Sequence, residues 1–118
     1  MFDEVLANAL GELEGGRCVI LTGSDGVVVA SAVATDGPAP DIVAASLADL
    51  FRKAGVAHRD AGFEPPRELM SRASSGQSVL RAVTPEYLLV AVLDGIAGLG
   101  RTRFVLRKAA AALESQLN

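Results

Sequence analysis

The chain has 118 residues, with 11 basic and 14 acidic side chains and a formal net charge of −3. That length predicts a single domain over residues 1–118 with one core. No basic excess and an aromatic content of 4 % leave neither an electrostatic footprint nor stacking platforms for nucleic acid, so that class of partner is excluded.

The first predicted element is a helix over residues 2–13. Phe2, Val5, Leu6, Ala9, Leu10 and Leu13 recur at helical spacing, and Asp3 and Glu4 suit the positive end of the helix dipole. Gly15 and Gly16 stop it. Residues 18–22 and 27–31 are β-rich, and Asp25-Gly26 between them carries a hairpin signal. Residues 37–40 form a loop that leads to Asp41 as the N-cap of a second helix.

That second helix, residues 41–54 and closing on Gly55, has more apolar surface than one sheet needs. Winding it at ~100° per residue gives one stripe of Val43, Leu47, Leu50 and Ala54. A second stripe of Ala44, Ala48, Phe51 and Gly55 lies beside it. Together they cover roughly 160°, where a one-sided surface helix needs about 100°. The small residues of the second stripe let another backbone approach closely. Exposed apolar area of this kind is disfavoured on a monomer, so the pattern points to a module that dimerises through the helix. The alternative is that the small stripe lets the helix sit close to its own sheet. Ser46, Asp49, Arg52 and Lys53 make up the polar side.

Residues 56–67 are polar, hold the single His and end near Pro65-Pro66; they are expected to form a loop. Residues 68–74 alternate weakly, as an edge strand would. Residues 78–83 are a fourth strand. Residues 87–93 form an apolar run without alternation, which predicts a central strand buried on both faces. Residues 94–100 are a glycine-rich turn. The last helix spans residues 99–117, with Leu106, Ala110, Leu113 and Leu117 on its apolar face. The order α-β-β-α-β-β-β-α predicts an α+β sandwich: one five-stranded antiparallel sheet with helices on both faces.

No catalytic constellation stands out. There is no phosphate-binding Gly-x-x-x-x-Gly-Lys-Ser/Thr loop, so the chain is not itself a nucleotide hydrolase of that type. Gly95 to Arg101 is read as a tight strand-to-helix turn in preference to an anion site. His58 and Asp60 read as a solvated loop pair rather than an acid/base pair. One His and one Cys cannot hold zinc alone, so no metal and no cofactor are expected. Cys18 lies in an apolar strand and is expected to be a core residue, and a single Cys fits a reducing compartment. The opening Met1-Phe2-Asp3-Glu4 lacks a basic leader region, and no apolar run approaches the ~20 residues of a membrane span; a cytoplasmic location is expected.

Taken together, the Asp25-Gly26 hairpin, the alanine-rich helix 41–54, the apolar strand Tyr87 to Leu93, the turn closing on Leu99-Gly100, and Arg103, Leu106 and Ala109-Ala110 on the final helix resemble the roadblock/dynein light chain superfamily. The resemblance covers nearly the whole chain. It implies a homodimer with its sheets joined edge to edge and the second helices paired antiparallel. It also implies partnership with small Ras-like GTPases. Bacterial members look like regulators that hasten GTP hydrolysis without lending a catalytic residue, and other members are scaffold subunits. On this basis Ala44, Leu47, Ala48, Phe51 and Gly55, with Leu69, Met70, Ser71 and Arg72 of the edge strand, are expected at the dimer interface. Ser46, Asp49, Arg52 and Lys53 are expected to meet the GTPase. Two alternatives stay open: a scaffold subunit with no nucleotide-state preference, and a small-molecule sensor, which would need a pocket of roughly 300 Å³ or more under a helix.

Overall fold

The computed structural model describes residues 1–95 and 98–117. Its elements are α1 (Phe2–Glu12), β1 (Gly16–Gly23), β2 (Val28–Val33), α2 (Pro40–Asp60), β3 (Glu68–Arg72), β4 (Gly76–Thr84), β5 (Tyr87–Asp94) and α3 (Leu99–Leu117). The five strands form one open antiparallel sheet in the order β2-β1-β5-β4-β3. The order of elements, the antiparallel sheet and the helices on both faces are as the sequence predicts. So are the central place of β5 and the edge place of β3.

The pleat explains the sheet's two cores. In β1, Val19 and Leu21 face α1 and α3, while Cys18 and Ile20 face α2. In β5, Leu89, Ala91 and Leu93 face α1 and α3, while Leu88 and Val90 face α2. Both strands are covered on both sides, which is why they read as unbroken apolar runs. Leu6 and Ala9 of α1 and Val105, Leu106, Ala109, Ala110 and Leu113 of α3 close the first core. Ala44 and Ala48 of α2 close the second.

Helix α2 is longer than its sequence pattern suggests. It starts at Pro40, whose fixed φ suits the first helical position, so Asp41 sits in the first turn and Ala39 takes the cap. It runs through Gly55 to Asp60. Residues 56–60, expected in a loop, are therefore its last turns, and the loop is only residues 61–67. The stop is Gly62, at φ +87°. Its amide donates to the Arg59 carbonyl at 3.0 Å, and the Phe63 amide donates to the His58 carbonyl at 2.8 Å. This pair of bonds needs a left-handed residue at the turn, and glycine adopts that conformation at little cost. The Phe63 ring packs edge-on against the His58 ring, 5.8 Å between centroids. His58 Nδ1 lies 3.0 Å from the Glu64 carbonyl oxygen. His58 and Asp60 thus lie on a helix end, where His58 helps to hold the chain reversal.

The β1–β2 hairpin is pressed against α2 at Gly26, which has φ +87°. A Cβ placed there would lie 3.1 Å from the Ala45 Cα. This close approach lets the hairpin turn cover the flank of the helix. Ile96 and Ala97, expected within a glycine-rich turn over residues 94–100, lie outside the described residues.

Candidate functional site

The face that distinguishes this molecule is the outside of α2 with the neighbouring edge of the sheet. Its geometry follows from which stripe of α2 meets the sheet. Ala44 is 0 % exposed and Ala48 is 1 % exposed. Both belong to the buried cluster that holds Ile20, Leu80, Leu88 and Val90 of the same chain. The sequence predicts these two alanines at a dimer interface; within the protomer they are covered by the chain's own sheet. Small side chains allow the closest helix-to-sheet approach, so the sheet of the same chain takes them. Phe51 is half-buried on the same side, and Gly55 is partly covered.

The stripe left outward is the other one. Val43, Leu47, Leu50 and Ala54 lie roughly a quarter turn from the alanines. Val43 and Leu47 are half-buried against the second core, and Leu50 is 42 % exposed. Leu69 of β3 and Val92 of β5 are half-buried against the same cluster. The stripe therefore continues onto the sheet towards β3. Ile42, Val56 and Phe63 add further exposed apolar side chains along or just beyond α2.

β3 lies at the end of the sheet and pairs only with β4 among the described residues. Its side chains divide by the pleat. Leu69 and Ser71 are on the α2 face, whereas Met70 and Arg72 share the α3 face with Glu68. Glu68 is 14 % exposed and receives Arg81 at 2.8 Å and Arg103 at 2.9 Å. The hydrogen bond from Arg103 is the main cause that holds its carboxyl below the ordinary carboxylate range.

The polar side of α2 is an ion-pair cluster. Asp49 accepts from Arg52 at 3.1 Å and from Lys53 at 3.0 Å. The Lys53 hydrogen bond is the largest cause that lowers the Asp49 carboxyl. Arg52 also donates through Nη1 to the Ser24 carbonyl oxygen, which ties α2 to the β1–β2 turn. Arg52 is thus part of a brace rather than a free side chain. Ser46 is exposed one turn earlier.

Below Arg52 a cavity of about 190 Å³ opens between α2, the β1–β2 turn, the β4–β5 turn and Pro65-Pro66. It is smaller than the roughly 300 Å³ at which drug-sized ligand pockets begin. Sequence reasoning missed it, because its walls come from four separated segments. A groove of about 320 Å³ lies between α1 and α3, bridged at its rim by Lys108 and Glu12 at 2.9 Å. Among the described residues, no group of three metal-ligating side chains occurs and no helix is long and apolar enough to cross a membrane. Cys18 is fully buried, and burial raises its thiol pKa.

Comparison with known proteins agrees with this architecture. The chain resembles MglB in a tetrameric arrangement at 26 % identity and a TM-score of 0.87, covering 95 % of this chain and 84 % of the other. It resembles the gliding protein MglB from Thermus thermophilus at 25 % identity and a TM-score of 0.85, with the same coverage of 95 % and 84 %. A Roadblock/LC7 domain from Streptomyces avermitilis shares the fold at 16 % identity and a TM-score of 0.82, covering 98 % of this chain and 96 % of that one. No curated protein matches the sequence. The Roadblock/LC7 domain pattern matches residues 2–93, and the chain therefore belongs to the Roadblock/LC7 domain family.

Proposed function

We propose that this chain is a non-enzymatic, cytoplasmic, bacterial homodimer that binds and regulates a small Ras-like GTPase. The observation that carries the reading is the partly covered stripe Val43, Leu47, Leu50 and Ala54 running onto an open β3 edge in a chain of this family. A second copy related by a two-fold axis would lay the same stripe against it, and its β3 would continue the sheet. Backbone hydrogen bonds across the β3 edges would fix the register. The mate would cover Leu47, Leu50, Leu69 and Ser71, and β3 would contribute the backbone of Met70 and Arg72. Ala44 and Ala48 support the interface from beneath.

With that face covered, Ser46, Asp49 and Lys53 remain on the outer rim of the paired helices. They are the polar groups offered to the GTPase; Arg52 and Lys53 both hold Asp49, and Arg52 is anchored on Ser24. Any stimulation of hydrolysis would come from positioning the GTPase's own groups. An arginine in trans can add about 10³- to 10⁵-fold; no such role is assigned to Arg52, which braces α2 through Ser24 and Asp49.

The test is affinity capture from lysate of the source organism, loaded once with a non-hydrolysable GTP analogue and once with GDP. Preferential retention of a Ras-like GTPase with the analogue is expected. Equal retention in both states would replace the regulator reading with a scaffold subunit.

A further inference from the structure

The cavity beneath the second half of α2 is unrelated to the stripe assigned to the dimer, and its walls have a definite chemistry. Phe51, Pro65, Pro66, Pro85 and Leu88 supply carbon surface, and the Phe51 ring is available for edge or face contact with another ring. Its volume of about 190 Å³ exceeds the roughly 150 Å³ of an apolar cavity that holds benzene. It is too small for a nucleotide or a drug-sized ligand. One six-membered ring with a short substituent fits.

The mouth has a charge preference. Arg52 is the only charged side chain among the lining residues. Two of its five N–H donors are engaged, one by the Ser24 carbonyl and one by Asp49. Asp49 is neutralised twice, by Arg52 and by Lys53, so these three side chains carry a net charge of +1. Asp25 and Glu86 line a separate outer depression beside Tyr87. A carboxylate at the mouth would meet the three remaining N–H donors of the guanidinium, a charge-assisted pairing.

We propose that this cavity binds a small aryl carboxylate, with the ring inside against Phe51 and the prolines and the carboxylate on Arg52. The proposal does not depend on the dimer or the GTPase reading, since the site lies within one protomer.

Amide NMR titration of the full chain with benzoate, benzyl alcohol and acetate tests it. Benzoate is expected to shift the amides of Ala48, Arg52, Ala82 and Leu88 saturably, with a Kd in the millimolar range for so few atoms. Benzyl alcohol should bind the same residues about tenfold more weakly, and acetate should leave them unmoved. Arg52→Gln should remove the preference for benzoate over benzyl alcohol, with both probes measured on the same variant. Ala82→Leu should fill the cavity and remove both. If Ala82→Leu fails to fold, the comparison of probes and Arg52→Gln still decide the matter. Three results would overturn the site: no saturable shift, shifts centred away from the cavity, or benzoate affinity unchanged in Arg52→Gln.

Discussion

Arg103 of α3 holds Glu68 of β3 through two hydrogen bonds, 2.9 Å from Nε and 3.0 Å from Nη2, across 35 positions of the chain. Glu68 also receives Arg81 of β4, its cross-strand neighbour. An edge strand is ordinarily held by one neighbour. Here the edge that the dimer would use is fastened to the last helix as well, so its position is set before any partner arrives.

Replacing that carboxylate is therefore expected to loosen β3. Glu68→Gln should cost about 1–3 kcal/mol at pH 7, because the hydrogen bonds it removes are charge-assisted. Hydrogen exchange of the β3 amides should accelerate with it. The effect has a pH signature. The Glu68 carboxyl lies below its ordinary value of 4.5 in the folded state. The unfolded chain thus takes up its proton first as pH falls. The stabilisation is fully present above pH 4.5 and is lost as pH falls through the lowered folded value. Denaturation curves of wild type and Glu68→Gln should converge on the acid side of that window.

Ala48→Glu separates the two faces of α2. The Ala48 side chain is 1 % exposed in its own chain. A glutamate there would place an unpaired charge in the core, and a loss of about 3–5 kcal/mol is expected in denaturant unfolding. A variant that unfolds at the wild-type midpoint would show that Ala48 is not buried.

Leu50→Glu addresses the outward stripe. Leu50 is 42 % exposed in the protomer, so folding should change by about 0.5 kcal/mol or less, the usual range for surface positions. The proposed dimer should dissociate, with light scattering reporting the monomer mass. A dimer that survives the charge would remove this stripe from the interface.

Gly26→Ala tests the contact between hairpin and helix. The site combines φ +87° with an Ala45 Cα only 3.1 Å from the new methyl. Strain in a left-handed position costs about 1–3 kcal/mol, and the clash adds to it. A lowered Tm is expected, together with looser protection of the β1–β2 turn.

Cys18 should resist thiol reagents in the native protein. It is fully buried, and burial raises its thiol pKa, so little thiolate is present and access is closed. Labelling by a disulfide reagent at neutral pH should follow the rate of opening. Stoichiometric labelling of the folded chain within mixing time would contradict this.

Much of the fold is legible in the sequence, and particular residues show why. The run Tyr87 to Leu93 has no polar break, and only a strand covered on both faces carries such a run. Asp25-Gly26 marks a hairpin because a tight reversal needs a left-handed residue. The end of α2 is harder to read, because Gly55 offers an earlier stop than Gly62. A glycine within a helix costs only about 1 kcal/mol, and the flanking turns outweigh it.

The site is a different matter. The sequence by itself determined that α2 has two apolar stripes and one polar side, because helical periodicity is a local property. Only the tertiary structure decided which stripe belongs to the sheet. That choice depends on how closely the backbones can approach. Ala44, Ala48 and the glycine of the hairpin permit the shortest distance, so they turn inward, and the bulkier Val43, Leu47 and Leu50 are left at the boundary where a second molecule can reach them. The cavity under Arg52 likewise exists only because folding gathers α2, two turns and Pro65-Pro66 around a space that no single segment encloses.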